Sequence, residues 1–150
     1  MIFVTTGTTQ PFAELIEEID RLAGLGVFGD EEVICQTGQA KVSPKHVNHY
    51  HAKPTIEEDL QRCDFLFTHG GATVIEAIKM QKKFIAIANP RATEDHQGLF
   101  LEQLATVIPI HWTRDWTDLG ALYEKAKNAP PPKMAVNIPS AHRVIIDKFL

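Results

Sequence analysis

The residues best suited to chemistry stand in one short run, Thr68-His69-Gly70-Gly71-Ala72-Thr73-Val74-Ile75-Glu76. It follows the apolar triplet Phe65-Leu66-Phe67 and leads into Val74, Ile75, Ala77 and Ile78 at helical spacing. A strand ends, two glycines allow a turn closed to bulkier residues, and a helix begins. The first N–H groups of a helix have no partner within it, and the dipole is positive there. A phosphate fits such a place. A tight turn that binds nothing has the same pattern, and two glycines do not separate the readings. Glu76 is open in the same way. Thr73-x-x-Glu76 is a capping box, in which the carboxylate closes on the Thr73 N–H. A carboxylate here also suits the paired hydroxyls of a ribose.

A second stretch, Asn89-Pro90-Arg91-Ala92-Thr93-Glu94-Asp95-His96-Gln97, follows the apolar run 84–88. Asp95, His96 and Gln97 offer donors and acceptors suited to sugar hydroxyls, and Arg91 suits a phosphate. The competing reading is that Thr93, Glu94 and Asp95 cap a helix and complement its dipole. A third stretch, Thr5-Thr6-Gly7-Thr8-Thr9, is rich in hydroxyls. No G-K-[ST] follows it and G-x-G-x-x-G is missing, so P-loop and dinucleotide-oxidoreductase readings are weak. There is no G-x-S-x-G. His49 and His51 alternate on one side of a strand, but spacing supplies no third ligand, and no metal is expected. Cys35 and Cys63 lie in apolar surroundings without a C-x-x-C pair, as buried free thiols do.

These residues need a frame, and apolar runs alternating with helix-like stretches supply it. Strands are expected at residues 2–5, 32–36, 47–51, 64–68, 84–88 and 106–110. Helices are expected at 11–23, from the capping box Thr55-x-x-Glu58 to 61 or 62, at 73–80, from Thr93 to about 104, and at 115–127. Trp112 and Trp116 read as packing around that last helix. Residues 130–150 read as a proline-rich linker, Pro130-Pro131-Pro132, and a terminal helix from 140. Strands apolar throughout imply a sheet covered on both faces. Alternating strand and helix imply parallel βαβ units. The fold class is therefore α/β, a Rossmann-like doubly wound parallel sheet of five or six strands in one domain spanning 1–150. Ligands of such sheets bind outside the carboxyl ends of the strands. That places the site among loops 6–10, 38–46, 51–55, 69–73 and 89–97.

Composition narrows the class further. Of 150 residues, 15 are basic and 19 acidic, a net charge of −4 without a basic stripe, so nucleic acid is not an expected partner. The first apolar run is too short for a signal peptide or a membrane span, so a cytoplasmic protein is expected.

The motifs taken together resemble the C-terminal domain of glycosyltransferase family 28. They are Ile2-Phe-Val-Thr-Thr-Gly-Thr, Pro11-Phe12 with Leu15-Ile16, Gln36-Thr-Gly38, Cys63-Asp64 before His69-Gly-Gly-Ala, Glu76-Ala77, and Asp95-His96-Gln97. The resemblance runs from residue 1 to about 105. It is nearest to the small donor-binding subunits of split UDP-sugar glycosyltransferases, as in lipid-linked N-acetylglucosaminyl transfer and bacterial exopolysaccharide synthesis. It implies the C-terminal, donor half of a GT-B fold, a UDP-sugar donor, and inverting transfer without metal or other cofactor. By position it implies Gly70, Gly71, Ala72 and Thr73 at the diphosphate and Glu76 at the ribose. Asp95, His96 and Gln97 would lie at the sugar. Gly7 and Thr8 would face the acceptor cleft, with Arg91 nearby, and residues 51–55 would border the uracil. It further implies a membrane-associated partner that holds the acceptor and the general base. His69 is a possible local contributor beside the reading of a structural histidine. A lone half could also self-associate through its unfilled cleft. The chain departs from the family pattern in a turn one residue shorter between Ala72 and Thr73. The class that competes with an enzyme subunit is a non-catalytic nucleotide-sugar-binding or assembly subunit.

Overall fold

All four residues of Ile2–Thr5 are buried, as are the first four of Phe65–His69. Strands closed to water on both sides need helices on both sides. A computed structural model, which describes residues 1–133, shows how the chain supplies them. In chain order the elements are β1 (Ile2–Thr5), α1 (Ala13–Gly24), β2 (Val33–Gln36), β3 (Asn48–Tyr50), α2 (Glu57–Arg62) and β4 (Phe65–His69). There follow α3 (Thr73–Lys79), β5 (Lys83–Ile87), α4 (His96–Leu104), β6 (His111–Thr113) and α5 (Leu119–Lys127). The strands form one parallel sheet in the order β3-β2-β1-β4-β5-β6. This is the Rossmann-like doubly wound arrangement expected from the sequence.

Side chains alternate across each strand. Val4, Phe65, Phe67, Ile85 and Ile87 face α1 and α5, where they meet Leu15, Ile16, Ile19, Leu119 and Tyr123. Phe3, Leu66, Phe84 and Ala86 face the other way, onto Leu60 of α2, Val74, Ile75 and Ile78 of α3, and Phe100, Leu101 and Leu104 of α4. Phe28, Phe65, Phe67 and Tyr123 form a ring cluster with centroids 4.9 to 5.8 Å apart. The helix α2 is the crossover that returns the chain from the β3 edge to the middle. Its last carbonyls are met by the Lys82 ammonium, 2.7 Å from the carbonyl oxygens of Gln61 and Cys63. The chain leaves β1 toward one edge and resumes at β4 toward the other. The strand order therefore reverses between β1 and β4, and that is where such sheets open a crevice.

Three local expectations change. The last strand is not at 106–110 but at His111–Thr113, paired with Ile85, Ala86 and Ile87. Thr106, Val107 and Ile108 donate back to the carbonyls of Gln103 and Leu104, so they finish the turn after α4. Pro109 has no N–H for a ladder. The apolar run there exists because Ile108 plugs the core, 1% exposed. Second, α2 starts at Glu57, with the Thr55 hydroxyl accepting from the Glu57 N–H at 3.1 Å. This is one bond two residues on, without the reciprocal carboxylate contact of a capping box. Third, the helical stretch after Thr93 is split, a 3₁₀ turn over Thr93–Asp95 with Glu94 at φ +54° leading into α4 at His96. The terminal helix expected from residue 140 lies outside the described residues.

Phe67 lies on a central strand, fully buried among three other rings. Phe67→Ala should cost about 3–5 kcal/mol of unfolding free energy in a urea titration. A loss under about 1 kcal/mol would contradict this packing.

Candidate functional site

The crevice between β1 and β4 is built on His69, the last residue of β4. Its ring lies between two backbones. A Cβ on Gly7 would come 2.7 Å from His69 Nε2, and one on Gly71 would come 2.4 Å from His69 Cε1. Gly7 also has φ +74°, a conformation that L side chains rarely adopt. Gly38, at φ +59°, packs on the Gly7 carbonyl, where a Cβ would stand 2.3 Å from the oxygen. Three loops thus interlock through glycines. Gly70 and Gly71 do not have positive φ. Their lack of a side chain serves close approach, since a Cβ on Gly70 would meet Leu101 Cδ1 at 2.9 Å and Gln97 Cβ at 3.0 Å.

Gln97, on the first turn of α4, ties this crevice together. Its Oε1 accepts from the N–H of Gly70 at 3.0 Å and of Asn89 at 2.9 Å. An oxygen that accepts twice fixes the orientation of the amide. Its Nε2 then donates to His69 Nδ1, 3.2 Å away. A neutral imidazole that accepts at Nδ1 carries its proton on Nε2. Burial pushes the His69 pKa from 6.5 down to about 4, so the ring is neutral near pH 7. His69 is thus a neutral hydrogen-bond donor toward the Gly7 loop. Its basic nitrogen is already occupied, and this does not suit the role of general base.

After the Gly70 N–H is spent on Gln97, those of Gly71, Ala72 and Thr73 follow. None of the three has a hydrogen-bond partner among the described residues. The residue before α3, Ala72, is already in the right-handed helical region and supplies no side-chain cap. The helix thus starts earlier than a Thr73–Glu76 capping box requires. The Glu76 carboxylate is exposed and makes no bond to a described residue. The capping reading of Glu76 is set aside.

Two clefts meet at this turn. The first, about 670 Å³, is lined by Thr5, Gly7, Thr8, Gln36, residues 53–57, Thr73, Glu76 and Lys79. Its far wall is held by Asp59, whose side chain is 3% exposed. Asp59 Oδ2 accepts from the Tyr50 hydroxyl at 2.5 Å and the Lys53 ammonium at 3.1 Å. Burial works to raise the Asp59 pKa, but the bonds from Tyr50 and Lys53 outweigh it and hold the carboxyl below its usual value. The Lys53 ammonium also sits 4.4 Å over the Tyr50 ring. The second cleft, about 510 Å³, is lined by Thr6, Thr9, Gln10, His69, Gly70, Gly71, Asn89, residues 92–94, His96 and Gln97.

The structure therefore brings Gly7, Thr8, Thr73 and Glu76 to one cleft and His69, Gly70, Gly71, His96 and Gln97 to the other. Residues 53–55 border the first, inside the loop expected at the base. Asp95 and Arg91 line neither. Asp95 pairs with Arg114, 3.0 Å from its guanidinium, and Arg91 with Glu14 at 2.8 Å. Glu94 and Asp95 both have φ +54°, a conformation costing on the order of 1–2 kcal/mol per residue. Gly98 admits the Asp95 carboxylate, since a Cβ there would lie 2.3 Å from Asp95 Oδ1. Lys53 and Gln10 fall inside loops that the architecture had marked, but neither was singled out.

Comparison with known proteins adds a family. The sequence profile of the glycosyltransferase family 28 C-terminal domain matches residues 1–108. The UDP-N-acetylglucosamine transferase subunit ALG13 of Mus musculus is 30% identical over 113 residues, 68% of this chain and 10% of that protein. The same subunit of Homo sapiens is 29% identical over 114 residues, 69% of this chain and 10% of that protein. The chain thus spans about a tenth of the length of these curated relatives. An NMR structure of ALG13 superposes with a TM-score of 0.63 at 14% identity, over 99% of this chain and 96% of that one. The crystal structure of the kitacinnamycin glycotransferase gives 0.56 at 12%, over 98% of this chain and 37% of that one. At these identities the two structures speak for the fold alone.

The partly buried, neutral state of His69 has a pH signature. Between about 6.5 and 4 the unfolded chain takes up a proton that the folded chain refuses. Stability should therefore fall as pH drops through that window. His69→Asn should flatten this fall in melting curves across pH 7 to 4. An equally steep fall in the variant would show that His69 titrates as a free histidine does.

Proposed function

The chain belongs to the family of glycosyltransferase family 28 C-terminal domains, and from that premise we propose that it is the donor-binding half of a two-subunit glycosyltransferase. On this reading a UDP-sugar lies across the carboxyl end of the sheet. The nucleoside takes the first cleft, its ribose hydroxyls on Glu76 and its base beside residues 53–55. The diphosphate takes the N–H groups of Gly71, Ala72 and Thr73, and the hexose takes the second cleft. The observation that carries the reading is those three unbonded N–H groups, on a turn whose Gly71 lines the second cleft and whose Thr73 lines the first. The names of the curated relatives make UDP-N-acetylglucosamine the first donor to test.

The chemistry is direct displacement. An acceptor hydroxyl attacks the anomeric carbon from the face opposite the diphosphate, the bond to the diphosphate oxygen breaks, and the configuration inverts. Charge grows on the leaving group, where fixed N–H dipoles stabilise it as an oxyanion hole does; one such donor is worth about 10²–10³ in rate. No metal is needed on this reading. The acceptor must lose a proton, and His69 is not the base, because its Nδ1 is engaged by Gln97. A partner subunit supplies base and acceptor. Among the described residues no helix is long and apolar enough to cross a membrane, so a lipid-linked acceptor would be reached through that partner.

A non-catalytic sugar-nucleotide-binding or assembly subunit remains the second reading. The pairing of Asp95 with Arg114, away from the clefts, and the engaged nitrogen of His69 favour it. Transfer of labelled hexose from a UDP-sugar by the reconstituted pair, and not by either subunit alone, supports the first reading. Tight donor binding without transfer by any pair supports the second.

Glu76 is exposed and unbonded, so Glu76→Ala should change stability by less than about 0.5 kcal/mol. Loss of a charge-assisted bond to the ribose should weaken UDP binding about ten- to hundredfold by calorimetry. Unchanged affinity in the variant would remove Glu76 from the site. Failure of UDP and UDP-sugars to bind the unmodified chain would reject the donor-domain reading.

A further inference from the structure

Three carboxamides stand around the second cleft: Gln10, Asn89 and Gln97. Gln97 is engaged at both ends, its oxygen by two backbone N–H groups and its nitrogen by His69. Asn89 is engaged at both ends too. Its Nδ2 donates to the Pro11 carbonyl at 3.2 Å and its Oδ1 accepts from the Arg91 N–H at 3.0 Å. These two amides build the cleft, each keeping one N–H in reserve and Asn89 one lone pair as well. Gln10 differs. Its Oε1 is shut from solvent and has no hydrogen-bond partner, a state found for no other buried side-chain oxygen or nitrogen among the described residues. Its amide makes no bond to any described residue.

An acceptor buried without a donor costs about 1–3 kcal/mol, and no hydrogen bond from a described residue ties this side chain to its surroundings. Pro11 disfavours helical backbone at Gln10. The bond from Asn89 to Pro11 then moors the β1–α1 loop to the β5–α4 loop on the far side of the cleft. A side chain that lines the cleft and whose oxygen finds no donor among the described residues is free to turn that oxygen to a donor that arrives from outside.

Resting on the donor-domain reading above, we propose that Gln10 is the residue that reads the transferred sugar, its carboxamide oxygen accepting from a hydroxyl or acetamido N–H of the hexosyl group in the second cleft. The first cleft holds the nucleoside and lies across the glycine turn, so Gln10 senses the hexose and not the UDP. It contributes to selectivity between donors and takes no part in the chemical step.

The test uses the full chain and three probes, UDP, UDP-glucose and UDP-N-acetylglucosamine, titrated calorimetrically into the unmodified protein and into Gln10→Leu. UDP affinity is expected to be the same in both proteins. For at least one UDP-sugar the variant should bind about three- to tenfold more weakly, the worth of one neutral hydrogen bond. Loss against both sugars points to a shared hydroxyl, and loss against UDP-N-acetylglucosamine alone points to the acetamido N–H. The melting temperature should hold or rise, because an orphaned buried acceptor is removed. Equal affinities for every UDP-sugar would overturn the proposal, as would an equal fall for UDP and UDP-sugars or a lowered melting temperature. If the unmodified chain binds UDP yet Gln10→Leu changes nothing, the proposal fails alone. If the unmodified chain binds none of the three, the donor-domain reading falls and takes this proposal with it.

Discussion

One side chain sets the shape of the ligand end of this molecule. The Gln97 oxygen accepts from the backbone after β4 and from the backbone after β5, and the same amide holds the His69 ring. Neighbouring parallel strands end with unpaired N–H groups, and their loops are free to diverge unless something bridges them. Gln97 bridges them from the first turn of a helix that is itself anchored in the core by Phe100, Leu101 and Leu104. The glycine turn then starts in a fixed direction. That direction leaves the next three N–H groups pointing away from the protein's own acceptors, and it aligns His69 against Gly7. The two clefts exist as separate spaces because this turn stands between them.

Much of this frame was legible in the sequence, because burial on both faces writes a plain signal. Phe65-Leu66-Phe67 and Phe84-Ile85-Ala86-Ile87 have no polar member, and each is a central strand. The failure at 106–110 had the same source. Ile108 is apolar because it fills the core behind α4, and a short apolar run does not tell a strand from a buried turn. The site was legible at the level of loops. The architecture marked residues 6–10 and 51–55, which contain Gln10 and Lys53. Their roles depend on what other groups are already bonded to, and no local pattern records that. Asp95 shows the converse. Its place beside His96 and Gln97 suggested a ligand contact, yet its carboxylate meets Arg114, nineteen residues away.

The reason for the glycines was also hidden. A double glycine suggests a turn with φ above zero, and here it is space that matters, for His69 and Leu101 crowd the backbone. Positive φ in the site falls instead on Gly7 and Gly38 and, with no sequence warning, on Glu94 and Asp95, which carry side chains. Their unfavourable backbone is held on one side by the Arg114 ion pair and on the other by the missing side chain of Gly98. The helix α4 consequently begins at His96, and this brings Gln97 to its position on the first turn.

The contact between Gly7, Gly38 and the His69 ring has a kinetic consequence. Loops packed backbone to backbone cannot swing one at a time, since moving either would open a gap of atomic size beneath the other. The mouth of the crevice is therefore formed before any ligand arrives. Encounter then needs no slow rearrangement of these loops, and little ordering entropy is lost on capture. In a site of this kind, discrimination between similar ligands shows in how long each one stays and much less in how fast each one arrives.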